Sequence, residues 1–131
     1  MSMTLAEAER MMQTAKAKAV EMGVKVSIAV VDPRGDLVAL VRLDGTRWTT
    51  PPIAWGKAVA SATYGVASGE LTERANSPVM RTVTQIAGGY FVPQQGALPI
   101  RRGDELIGAM GVSGGASQED EDIARVGIAA L

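Results

Sequence analysis

Apolar positions recur along this chain with two different periods, and the switches between them mark its elements. Thr4 with Glu7 three residues on reads as a capping box. Behind it Leu5, Ala8, Met11, Met12, Ala15, Ala19 and Val20 return at helical spacing until Gly23 stops the run. From Val24 the period falls to two, through Val26, Ile28 and Val30, and merges into the apolar run 28–31, the pattern of a central strand. Asp32-Pro33-Arg34-Gly35-Asp36 predicts a turn, and residues 37–43 a second strand. So short a turn cannot hold a parallel crossover, so the pair is expected to be an antiparallel hairpin, which argues against a Rossmann-type sheet.

After Asp44-Gly45 the chain turns polar through Arg47-Trp48-Thr49-Thr50, and Pro51-Pro52 suits the first turn of a helix over about 53–66. That helix is rich in Ala and Gly, so a close neighbour is expected. Residues 68–75 read as a short helical or irregular piece. Ser77-Pro78 pairs an N-cap with proline at the first helical position and opens a third helix to about Ile86, closed by Gly88-Gly89. Residues 90–92, 98–102 and 105–112 are predicted as three further strands, the last two joined at Gly103-Asp104. Ser117 with Asp120 is read as the cap of a final helix running to Leu131. The predicted order is α-β-β-α-α-β-β-β-α: an α+β domain with a five-stranded antiparallel sheet and helices packed on it.

Length and composition narrow the picture. The 131 residues suit one domain, with no linker or low-complexity stretch. Hydrophobic residues make up 47% but aromatics only 4%, so Ala, Val, Ile, Leu and seven methionines must fill the core. Thirteen basic and fourteen acidic side chains balance to −1, which offers nothing to a nucleic acid. With neither cysteine nor histidine, a disulfide framework and a thiolate or imidazole metal site are excluded. The N-terminal segment lacks the pattern of a signal peptide and no run is long enough for a membrane span, so a cytoplasmic address is expected.

Chemistry-bearing residues gather in a few places. Arg42, Asp44, Arg47 and Trp48 lie where a strand leaves the sheet, with Lys57 in the following helix, a set suited to orienting a carboxylate. Gly111-Val112-Ser113-Gly114-Gly115 joins a strand to a helix and can bring backbone N–H groups to an anion, although the acidic run 119–122 already complements that helix. The two Arg-Gly-Asp tripeptides, at 34–36 and 102–104, are read as turn chemistry. Two functions stay open on these residues, beside a third in which the chain is a structural or assembly partner that docks another protein through its helix faces. A binding module would hold a small molecule between the sheet, Arg42, Trp48, Lys57, Tyr90, Gln95 and Ser113. A cofactor-independent enzyme acting on an organic acid would use Arg42 or Arg101 for the carboxylate and Asp44 or Tyr90 for the proton.

Val30-Val31-Asp32, Val41-Arg42-Leu43-Asp44-Gly45, Lys57-Ala58, Leu98-Pro99-Ile100, Gln118-Glu119-Asp120 and the run Ile107-Gly108-Ala109-Met110-Gly111-Val112-Ser113-Gly114-Gly115 together resemble the GlcG/HbpS family over nearly the whole chain. The resemblance implies a sheet of profilin-like or PAS-like character, homo-oligomers, and haem or another tetrapyrrole as ligand in some members. It also implies kinship with the module fused to PduO-type corrinoid adenosyltransferases. Many relatives read Gly-His-Leu where this chain has Gly35-Asp36-Leu37, and the family's haem binding is tied to histidine. Tyr64, Met80, Tyr90 and the other methionines are then the side chains left for axial ligation.

Overall fold

The computed structural model describes residues 2–131 and has the element order α1 (Leu5–Met22), β1 (Ser27–Val31), β2 (Leu37–Arg42), α2 (Thr50–Tyr64), a 3-10 helix (Ser68–Arg74), α3 (Pro78–Ile86), β3 (Ala97–Arg102), β4 (Glu105–Ser113) and α4 (Ser117–Ile128). The four strands form one antiparallel sheet in the order β2-β1-β4-β3, so of the two central strands β1 is buried throughout and β4 from Ile107 to its end. Both predicted hairpins are present, and the pairing that joins them is β1 to β4, with Ser27 opposite Ser113 and Val31 opposite Ala109.

The five-strand expectation is wrong by one. Residues 90–92 are not a strand: Phe91 is buried in a cluster with Ala60, Leu71 and Met80, and the Val92 N–H donates to the Gly56 carbonyl of α2 at 2.9 Å. The segment is therefore held by a helix and a small apolar cluster, and Pro93 removes the next donor a ladder would need. The first strand also begins later than the period-two pattern, at Ser27, because Val24 follows directly on the αL cap Gly23 that ends α1.

The sheet has two different faces. Ile28, Val30, Met110 and Val112 point to α1 and α4 and form the main core with Ala8, Met11, Ala15, Ala19, Ile123 and Ala124. The opposite face is lined by small residues, and α2 lies on it through Ala54, Ala58 and Ala62. At Gly111 the contact is backbone on backbone: a Cβ there would run into the Ala54 carbonyl and come 2.8 Å from the Ala58 nitrogen. The Ala/Gly composition of α2 thus reflects how near it must come to the sheet. The expected capping box of α1 is formed, Thr4 and Glu7 exchanging bonds. The Glu7 carboxyl is held below its usual pKa by the Thr4 N–H and then by Arg102, which reaches both its oxygens at 3.0 Å.

Replacing Gly111 by alanine is expected to lower stability by about 3 kcal/mol, at the upper end of overpacking costs, because a backbone cannot step aside as a side chain can. Chemical denaturation of the two proteins measures this; an unchanged midpoint would refute the close contact.

Candidate functional site

Two clefts lie at opposite ends of β1, each built partly by α2. The first sits beside the β1–β2 turn. Asp32 ends β1 and its carboxylate accepts the Arg34 and Asp36 N–H groups at 2.9 and 3.0 Å, which holds the turn in one shape. Gly35 has φ 92°, a conformation that favours glycine, and its carbonyl accepts the Trp55 indole N–H at 3.2 Å. Trp55 in turn lies against Tyr90, ring centroids 4.3 Å apart and planes tilted by 41°. Arg34, Gly35, Asp36, Trp55, Val59, Ile86, Ala87 and Tyr90 enclose about 440 Å³, a volume within the usual range for cofactor and ligand clefts. The Tyr90 hydroxyl has no hydrogen-bond partner among the described residues, and Ile86, which borders the cleft from α3, is 80% exposed.

The second cleft, of about 450 Å³, opens where β1 begins and β4 ends, between the 43–50 loop, the start of α2 and Ser113-Gly114-Gly115. Its walls carry Lys25 and Arg47 and no carboxylate.

Between the clefts and behind α2 lies a buried ion pair. Lys57 donates to Asp120 at 3.2 Å and to the Val112 carbonyl at 3.0 Å, and the other Asp120 oxygen accepts the Gly115 N–H at 2.9 Å. The side chains are 8% and 2% exposed. Burial pushes the Asp120 carboxyl above its ordinary pKa, against the opposing pull of Lys57 and the Gly115 N–H. Asp120 was expected to cap α4 together with Ser117; instead Ala116 is the N-cap residue, the Glu119 carboxylate takes its N–H, and Asp120 ties α4 and β4 to α2.

The predicted site residues do not converge. Ser113 lines the polar cleft, and Tyr90 the aromatic one. Lys57 is committed to Asp120, and Gln95 to Gln118 at 3.2 Å on the far side of the loop. Trp48 is 77% exposed and lines neither cleft, and Arg42 is exposed at the end of β2. Asp44 borders a hollow between α1 and the end of β2. Arg101 is bonded to the carbonyls of Asp104 and Gly65. Asp44, Tyr90 and Arg101 therefore share no cavity among the described residues. Of the ligation candidates, Met80 is buried in the apolar cluster and Tyr64 sits edge-on to Phe91 beneath Arg74, so Tyr90 alone faces a cleft. Trp55 and Val59 were missed, although a tryptophan and a valine four apart on one face of an otherwise small-residue helix is a legible signal.

The family model for haem-degrading HbpS-like proteins matches residues 3–129, and the chain belongs to that family. It is 30% identical, over 97% of its length and 90% of the other's, to an uncharacterized 15.0 kDa protein of the dhaT-dhaS intergenic region of Citrobacter freundii. It is 28% identical to the corrinoid adenosyltransferase PduO of Citrobacter freundii, of which it spans only 39%. Crystal structures of HbpS (TM-score 0.88, 28% identity, covering 100% of this chain and 91% of that one) and of a PduOC–haem complex (TM-score 0.88, 25% identity, covering 100% and 96%) share the fold.

Lys57→Met is expected to lower stability at neutral pH by about 3–5 kcal/mol, since it leaves a buried carboxylate unpaired. Asp120 already has a folded-state pKa above the ordinary value, so the folded state holds the extra proton and stability falls as pH rises through that interval. The Lys57→Met deficit should accordingly shrink on acidification toward pH ~4. Urea titrations of both proteins across pH test this, and a pH-independent deficit would contradict it.

Proposed function

We propose that this protein binds haem or a closely similar tetrapyrrole in the cleft between the β1–β2 turn, α2 and the end of α3. One observation supports the reading above others: the turn position at which many relatives carry their haem-linked histidine, here Asp36, borders a cleft walled by Trp55 and Tyr90. The residues present fit such a ligand. Trp55, Val59, Ile86 and Ala87 supply an apolar wall, Arg34 supplies a cation for propionate groups, and Tyr90 supplies a phenol with no competing partner. A tyrosine oxygen is a known iron ligand, and with neither histidine nor cysteine in the chain it is the donor that the cleft offers. Bound haem would bring a redox-active iron. The chain's own part is to stack on the ring, hold its carboxylates and ligate through Tyr90. Arg34 already lies 3.8 Å from Asp36, with both side chains exposed. It can therefore turn to a propionate at little expense.

The same reading includes assembly. Val79 and Ile86 are 64% and 80% exposed on α3, with Val83 between them at helical spacing. This apolar stripe continues into the cleft at Ile86, and a second copy of the chain covering it would also shield the tetrapyrrole from water.

Hemin titration is expected to give a saturable, shifted Soret band at one haem per chain. Tyr90→Phe should alter the band position and Trp55→Ala weaken binding at least ~10-fold, about 1.4 kcal/mol. Non-saturating absorbance, or a band identical in Tyr90→Phe, would count against the assignment. Independently, light scattering should report a multimer that dissociates in Ile86→Arg; a wild-type monomer would overturn the assembly reading.

A further inference from the structure

The polar cleft has no part in the tetrapyrrole reading, yet it is organised. Its floor is set by a hydroxyl relay whose direction can be deduced. Thr50 Oγ1 donates its one hydrogen to the Arg47 carbonyl at 2.9 Å, so it must accept from both Ser27 at 2.8 Å and Thr46 at 3.1 Å. Ser27 and Thr50 are buried, and this relay fixes the 43–50 loop to the first residue of β1. The α2 N-terminus itself adds little: Pro51 and Pro52 have no N–H, and the Thr50 and Ile53 N–H groups are used by Arg47 and Thr49 carbonyls.

What the cleft offers a ligand comes from side chains. Ser113, at the end of β4 and opposite Ser27, is only 6% exposed, and its hydroxyl has no partner among the described residues, although it borders the cleft. The hydroxyl is thus open to the cleft and free to bond a ligand there without breaking a bond inside the protein. The Lys25 ammonium and the Arg47 guanidinium have no carboxylate partner among the described residues. The nearby acids are engaged elsewhere, Asp120 with Lys57 and Gly115 and Glu119 with the Ala116 N–H, while Asp44 borders the adjoining hollow that shares Lys25. Gly114 cannot take a side chain, since its Cβ would meet the Lys25 carbonyl, so this rim of the cleft stays backbone-thin.

We infer that this cleft is a second ligand site, for a small oxyanion of the carboxylate or phosphate type, bound by Arg47 and Lys25 at its mouth and by the Ser113 hydroxyl at its floor. Arg47 provides a planar fork suited to two oxygens, Lys25 a second charge, and Ser113 a hydroxyl hydrogen bond. Thr50 is a positioning residue: its relay holds the backbone from which Arg47 projects.

Calorimetric titration of the full chain with malate, and separately with inorganic phosphate, tests this at low ionic strength. At least one anion should bind saturably, one per chain, at Kd ~1 mM or tighter, a weak affinity typical of small ligands. The arm that binds tells carboxylate from phosphate. Arg47→Gln and Ser113→Ala should each weaken binding about 10-fold or more. Ser113→Ala should leave thermal stability unchanged, since its hydroxyl bonds no group among the described residues, which separates loss of the site from loss of the fold. Tyr90→Phe should bind the anion as wild type does, so failure of the tetrapyrrole reading would leave this one standing. The inference is overturned if neither anion saturates, or if Arg47→Gln and Ser113→Ala both bind as wild type.

Discussion

Much of this molecule depends on how near α2 comes to the sheet. A helix can approach β1 and β4 this closely only if both surfaces have been stripped of side-chain bulk, which is why alanines in α2 face Ala109 and Gly111 in β4. The bulk is moved elsewhere. Methionines, isoleucines and valines fill the opposite face beneath α1 and α4, and the sparse aromatics are left for the edge of α2, where Trp55 meets Tyr90 and Phe91 closes a separate cluster. Gly56 is part of the same arrangement: a Cβ there would come 2.6 Å from the Val92 side chain, so the loop carrying Tyr90 and Phe91 is laid directly on the helix backbone.

The buried Lys57–Asp120 pair belongs to this geometry. On α2 at the small-residue face, a long side chain has no room except along the gap toward α4, and there it meets a carboxylate and the carbonyl that ends β4. Two charges in so dry a place are tolerated because each finds backbone partners as well as the other. The pair also aligns the strand-to-helix connection 113–116, and with it one wall of the polar cleft.

Local signals gave a good account of the elements. The Thr4–Glu7 box, the Gly23 stop, the Ser77-Pro78 opening and the two hairpin turns lie where periodicity and turn chemistry put them. Residues 90–92 misled because a β-rich tripeptide before proline has the same composition whether it lies on a sheet or on a helix, and only the tertiary contact of Val92 with Gly56 decides. The site was harder to read. Ser113 and Tyr90 were legible as cleft residues but belong to different clefts, because the β1–β4 pairing that separates them joins segments about eighty residues apart and leaves no local trace. Trp55 and Val59 stand out against the small residues of α2, but their partner Tyr90 lies about thirty residues on, beyond the reach of any local pattern, and Asp120 was hidden by its resemblance to an ordinary helix cap.

The two clefts lie a strand's length apart, about 17 Å for five residues, and among the described residues α2 is the one regular element that borders both, through Thr50 and Ile53 at one end and Trp55 and Val59 at the other. A helix resting on side chains can slide or tilt and so carry news from one end to the other. This one rests on main chain at Gly111, where no rotamer can yield, and it is pinned by a buried charge pair as well. It is a strut rather than a lever, and a ligand entering one mouth would leave the other unmoved.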